Sequence, residues 1–485
     1  MSLDGNLLVR RFLGGWGRLT KDDGMNTDIE NTPTLSLKVR KTFASKAGFF
    51  LLCSIIVSTA LFYGTVHQPL IALFYVLVGL MSLFWMWDSF SSGYLRIEKT
   101  WIQGILFLAA AYGFLQSVSF GTTETGGVPG VSRTISYEPF ATRMAALHFV
   151  FLGLFFCASM VFVEGRRKLG TLVSLITIFG FGFSFFAILQ SVLSPNKIYG
   201  IYSSEFAVPF GSFVNRHNFA AYAEMCLSVP LGLLVADAIG KDKKLLYFTA
   251  IGVIGIALLL SGSRGGLVAA ISGIAFLIFL LGRRQGKRSV LLKLGAAAVI
   301  LGVVIAGAIL VGGETSLNRF AETAASRDIT TNRSQIWSVS LKMAGANLPF
   351  GVGLGAYGFA YSRYDSQNGM ERVEQAHNDY LQVLTDGGLI GILLGAAFIV
   401  LLFRAGLEAS KAHDKYLRGA AAGALAGCFA VFVHSLFDFV LHTTAVAVLF
   451  LSMCSLVFAA LRLKRSEKVP IPTKPAGNVT SIAER

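Results

Sequence analysis

A single imidazole at the mouth of an apolar helix, with a carboxylate three residues before it, is the pattern in this sequence best suited to moving a proton. It lies in Glu374-Gln375-Ala376-His377-Asn378-Asp379. An imidazole titrates near neutrality, so it can take a proton from an attacking hydroxyl and release it later. If the segment were helical, Glu374 would share a face with His377 and could orient its ring. The plainer reading of such a residue is a hydrogen-bonded structural histidine.

Two cationic segments suggest what the imidazole would act beside. Arg264 stands in the turn Ser261-Gly262-Ser263-Arg264-Gly265-Gly266 between two apolar runs. The glycines would let the backbone approach a ligand, and the planar guanidinium fork suits a phosphate; snorkelling to lipid headgroups is the alternative. Arg216-His217 open another apolar run, whose first helical turn offers unpaired N–H groups and a positive dipole end to a diphosphate. Capping or interfacial hydrogen bonding would use the same pair structurally.

His434, Asp438 and His442 fall at i, i+4 and i+8 near the end of a further apolar run, which on a continuous helix stacks them on one face. The spacing could serve a metal, but zinc sites draw ligands from more than one element, and no further cluster accompanies this one. The expected role is a hydrogen-bonded network lining a cavity, with Asp438 balancing the arginines and no metal bound.

The elements that must position these residues are membrane-spanning helices. The 485-residue chain is 54% hydrophobic and only 14% charged, with a mean hydropathy of +0.63, more apolar sequence than a soluble core needs. Runs of about 20 apolar residues suffice to cross a bilayer, and about twelve are expected: 47–66, 69–87, 101–120, 141–163, 169–193, 218–238, 245–260, 265–282, 290–311, 388–403, 417–440 and 443–461. The fold class is therefore an all-α polytopic membrane protein with one long external loop, 312–387, containing short helices.

Alternate connections carry Arg166, Arg167 and Lys168; Lys241, Lys243 and Lys244; Arg283, Arg284, Lys287 and Arg288; and Arg404, Lys411, Lys415 and Arg418. These mark the cytoplasmic side and put both termini there. Arg216, Arg264 and His377 then fall on the opposite side, where lone cations call for an anionic substrate. The net charge of +15 reads as this topology signal, with no nucleic-acid motif and no nucleic-acid partner. Cys53, Cys157, Cys226, Cys428 and Cys454 all fall in expected spans and read as free packing residues.

Residues 1–46 lack a hydrophobic region with a cleavage site and are expected to be a mobile or membrane-skimming cytoplasmic segment, with Leu7, Leu8, Phe12, Leu13 and Trp16 as a weak apolar face. The membrane domain is expected over 47–462, and 463–485 reads as a disordered cytoplasmic tail. In the long loop, Ile336, Trp337, Val339, Leu341 and Met343 suggest a short helix. The glycine-rich bend from Asn347 to Gly355 follows it, without the βαβ context of a dinucleotide fingerprint.

The combination SGSRGG at a span junction, NRSQIW and GVGLGAYGFAY in the long loop, and AHNDYLQVLTDGGLIG entering the next span resembles the O-antigen ligase and O-antigen polymerase superfamily. His377-Asn378, nine residues, then Gly388-Leu389-Ile390-Gly391 is similar to that superfamily's ligase pattern, and the resemblance covers 215–449. It implies a glycosyltransferase of the bacterial inner membrane, without cofactor, that takes an undecaprenyl diphosphate-linked glycan at the periplasmic face. The acceptor would be a lipid A-core sugar, another lipid-linked repeat or a protein hydroxyl. By the same resemblance His377 activates the acceptor and Arg264 and Arg216 hold the diphosphate. Arg333, four residues before Trp337, adds a loop contact, and His217 and Asn378 count among the substrate contacts.

Physical chemistry adds that a glycosyl diphosphate carries a good leaving group, so fixed arginines and one base suffice, and no carboxylate cluster of the Mg²⁺-binding kind stands out. The alternative is a transporter of bicarbonate, another anionic solute or polysaccharide. That reading expects inverted repeats and midplane charges, and neither is evident.

Overall fold

A computed structural model describes residues 7–11, 42–125, 128–204, 207–282, 333–365 and 373–466. Its helices are α1 (Phe43–Leu61), α2 (Gln68–Ser92), α3 (Ile102–Gln116), α4 (Pro139–Phe162), α5 (Gly165–Leu193), α6 (Arg216–Val235), α7 (Lys241–Leu260) and α8 (Arg264–Gly282). They are followed by α9 (Arg333–Asn347), α10 (Tyr357–Tyr364), α11 (Asp379–Ala409), α12 (Lys415–His434) and α13 (Thr444–Ser466).

Ten of these helices are long and apolar enough to cross a membrane. The third expected span is the shorter helix α3, of 15 residues. The ninth, 290–311, lies outside the described residues, as do Arg283, Arg284, Lys287, Arg288 and 312–332. The chain is thus a mostly helical multi-pass membrane protein, and a count of twelve spans is not established.

Small departures from an all-α fold occur outside the spans. Strand β1 (Leu7–Arg11) pairs antiparallel with β2 (Tyr94–Glu98), so part of the expected membrane-skimming segment is an added strand. A second hairpin joins β3 (Thr122–Thr125) to β4 (Val128–Ser132). At the other terminus α13 runs to Ser466, past the expected onset of the tail at 463, because Arg462 is buried against Glu98 and Lys464 donates to the Glu408 carbonyl.

Helix α13 is buried along its whole apolar stretch and α6 nearly so, whereas α2 and α11 bury only a small part of theirs. With no aqueous hydrophobic effect between helices in lipid, close approach of small residues drives such central packing. Gly423 of α12 lies so near α6 that a Cβ there would stand 2.6 Å from the Ser228 carbonyl oxygen; one on Gly232 would stand 2.4 Å from the Gly419 oxygen. This contact brings the end of α12 alongside the start of α6.

Helix α11 is two helices in series. Gly388 has φ 59° and ψ −150°, a conformation essentially reserved for glycine. The break leaves the Thr385 and Asp386 carbonyls without helical partners, and backbone in a membrane protein must satisfy them internally. The glycine-rich bend does so: Val352 N–H donates to Thr385 O (2.9 Å), Gly353 N–H to Asp386 O (3.0 Å), and Leu389 N–H to Pro349 O (2.9 Å). The expected span beginning at residue 388 starts at this break, and 379–387 forms a separate helical segment before it.

Candidate functional site

Four segments meet at one end of the bundle: the starts of α6, α8 and α11, and the turn between α12 and α13. The fit of the last two is written in four consecutive residues. His377 Nδ1 lies 3.1 Å from Asp438 Oδ1, Asn378 Nδ2 donates to Leu436 O (3.0 Å), Ser435 Oγ donates to Asp379 Oδ2 (2.7 Å), and Tyr380 O–H donates to Phe432 O (2.8 Å). Asn378 also caps α11, its Oδ1 accepting from Leu381 N–H. These bonds use one amide hydrogen and one oxygen lone pair of its side chain to tether the start of α11.

Helix α12 stops at His434, which corrects the expectation that His434, Asp438 and His442 share one helical face. Instead they turn to three carboxylate or imidazole partners: His434 to Glu224 (3.2 Å), Asp438 to His377, and His442 to Asp379 (2.8 Å).

Asp438 is the hub. It is 2% exposed, and its Oδ2 faces Arg333 Nη2 at 3.5 Å and His217 Nδ1 at 3.8 Å. Burial alone would raise its pKa, but the His377 hydrogen bond and the Arg333 guanidinium hold it well below the usual carboxylate range. It is therefore ionised throughout the physiological range and fixes the His377 ring with Nε2 as the nitrogen left for chemistry.

Glu374 does not do this. Residues 373–376 are not helical, and His377 itself is left-handed at φ 50°, which costs a non-glycine residue roughly 1 kcal/mol. The segment is held by its neighbours: Trp337 Nε1–H donates to Ala376 O (3.0 Å), and Ala376 N–H donates to Gln382 Oε1 (2.7 Å). Trp337, four residues after Arg333, thus braces the backbone beside the imidazole. Arg333 in turn donates to the Phe437 carbonyl.

His377, Arg333, His217, Arg216 and Asn215 line one open cavity of about 510 Å³. Its remaining wall comes from Asn196, Ser204, Ala207, Val208 and Pro209, which carry no charged residue to mark them in the sequence. Asn215 caps α6 through its Oδ1 and His217 N–H (2.9 Å).

Arg264 begins α8 and is half-buried, but is not among the lining residues. The glycines beside it serve packing rather than ligand approach. A Cβ on Gly265 would stand 3.1 Å from His434 Cδ2, and one on Gly266 2.7 Å from Ala220 Cβ. Only Gly262, at φ 65°, is demanded by the turn, with the Arg216 guanidinium 3.6 Å from where its Cβ would be. Ser263, unremarked in the sequence, proves central: its Oγ accepts from Gly266 N–H and lies 2.8 Å from His217 Nδ1.

Residues 249–396 match the family model described as O-antigen ligase. The matched stretch contains Arg264, Arg333 and His377, while Arg216, His217 and Asp438 lie outside it. The match supports a membrane glycosyltransferase-type role. No curated protein matches the chain.

Proposed function

We propose that this protein transfers a glycan from an undecaprenyl diphosphate-linked donor to an acceptor hydroxyl at the periplasmic face of the bacterial inner membrane. The observation that carries the reading is the shared cavity: an imidazole oriented by a buried carboxylate lines it together with Arg216 and Arg333. The first pair can take a proton, and the arginines can hold an anion.

In the reaction the acceptor oxygen attacks the anomeric carbon of the donor and its proton passes to His377 Nε2. The bond from that carbon to the diphosphate oxygen breaks, and the electron pair leaves on the diphosphate. Arg216 and Arg333 stabilise the charge gathering there, and Asp438 stabilises the imidazolium that forms. Arg264 supports the mouth from the adjoining turn. A polyprenyl tail would reach the cavity laterally from lipid, which fits a site at the end of the bundle.

The test uses full-length protein in proteoliposomes containing an undecaprenyl diphosphate-linked repeat unit, with and without a lipid A-core acceptor. Release of undecaprenyl diphosphate, abolished in His377→Ala, is the expected result. Chain growth from the repeat unit alone would identify a polymerase, and a strict need for lipid A core a ligase. Donor left unconsumed under both conditions would overturn the reading.

A further inference from the structure

A chain of protic side chains runs inward from the cavity and is not used by the reaction above. His217 Nδ1 lies 2.8 Å from Ser263 Oγ. Ser263 Oγ lies 3.5 Å from His434 Nε2, and His434 Nδ1 lies 3.2 Å from Glu224 Oε2. Ser263, His434 and Glu224 are each at most 2% exposed, and Glu224 Oε1 is buried without a hydrogen-bond partner among the described residues. A carboxylate inside a spanning helix is expensive, and a buried carboxylate–histidine pair is poor value as glue, since apolar packing does as well.

We infer that Glu224, His434 and Ser263 form a buried proton relay that lets His217 accept a proton from the cavity without becoming cationic, so that it can donate a hydrogen bond to the bound diphosphate. This rests on the donor chemistry proposed above.

The bonding admits two polarities. With Glu224 ionised, His434 Nδ1–H donates to Glu224, Ser263 O–H donates to His434 Nε2, and His217 Nδ1–H donates to Ser263. His217 Nε2 then carries a lone pair, which repels an anion. When a proton arrives at Nε2, each bond reverses: His217 gives its Nδ1 proton to Ser263, Ser263 gives its own to His434 Nε2, and His434 gives its Nδ1 proton to Glu224. The balance is one proton taken up, stored on Glu224, with both imidazoles neutral before and after. His217 has now become an Nε2–H donor.

The surrounding charges favour this route over simple protonation. Arg216 and Arg333 crowd His217, and among the described residues Asp438 opposes them there; Asp438 and Asp379 act at longer range on His434. An imidazolium between two guanidiniums is costly, whereas neutralising a buried carboxylate is favourable.

The relay is a positioning device and is tested by proton counting. Full-length protein in detergent is titrated calorimetrically with farnesyl diphosphate over a pH series, in buffers of differing ionisation enthalpy. Where Glu224 is ionised in the free protein, binding should take up about one proton more in wild type than in Glu224→Gln. The glutamine amide can donate to His434 and lock the chain in its donor polarity, so that variant should still bind. Ser263→Ala interrupts the chain in the turn before α8 and should lose the same proton, which guards against misfolding of the first variant. Equal uptake in wild type and both variants, with binding intact, would overturn the relay and leave the proposed function standing. No binding of farnesyl diphosphate by wild type would overturn both.

Discussion

Replacing Asp438 by asparagine keeps the shape of the hub and removes its charge. An imidazolium and a carboxylate 3.1 Å apart attract by about 5 kcal/mol at an effective dielectric of ~20. Much of that offsets desolvation of the pair, and hydrogen bonds to charged groups are worth about 1.5–3 kcal/mol net. The bond strengthens only as His377 takes the acceptor's proton, so nearly all of its value belongs to the transition state. Asp438→Asn should therefore lower kcat by roughly a hundredfold, each ~1.4 kcal/mol being a factor of ten. Removing a negative charge beside Arg333 and His217 should leave the donor KM unchanged or lower, so the two constants separate. Initial rates of undecaprenyl diphosphate release at varied donor concentration measure both. A variant within about threefold of wild-type kcat, or one whose defect lies wholly in KM, would refute the orienting role.

Four further outcomes are expected. His377→Ala should abolish transfer while farnesyl diphosphate binding, read by calorimetry, persists; loss of binding instead would make His377 an anion contact. Arg216→Lys and Arg333→Lys should each weaken donor binding by roughly tenfold or more, since a point charge does not reproduce the guanidinium fork; near-normal KM in both would place the diphosphate elsewhere. Gly388→Ala should destabilise the fold by at least ~3 kcal/mol, because its φ is 59° and a Cβ would stand 2.2 Å from the Pro349 carbonyl oxygen; thermal unfolding in detergent reads this, and an unchanged Tm would contradict the helix break. Asp438, whose pKa is held down in the fold, contributes stability at pH above its unfolded value of about 4, and this drains away as pH falls below that. Acid should thus lower the Tm of wild type more steeply than that of Asp438→Asn, and parallel slopes would discount the effect.

His377, Arg216 and His217 stood out in the sequence because polar groups flanking apolar runs are costly, whereas Arg333, inside the long loop, was suggested only by the family resemblance. Their convergence followed from topology alone, since every second connection faces the same side. Partners were harder to read. Glu374 was attractive because a helix would set it on the same face as His377, yet the orienting group is Asp438, 61 positions away, because a left-handed residue turns the imidazole toward another connection. The helical spacing of His434, Asp438 and His442 misled for a related reason: the rule presumes one continuous helix, and α12 ends at the first of the three. Glu224 gave a readable signal that went unused, a lone carboxylate inside an apolar run.

The glycines carry the remaining lesson. Beside Arg264 a glycine-rich segment suggested room for a ligand, and there, as in the 347–355 bend, the space is filled by protein. Gly265 and Gly266 let the start of α8 press against His434, so Ser263 reaches both imidazoles; Gly351 and Gly353 let the bend pair with the broken α11. Any side chain at these positions would separate elements whose contact sets the direction of His377 and His217. The smallest residues thus act on the chemistry at one remove, by fixing how closely the helices that carry it can approach.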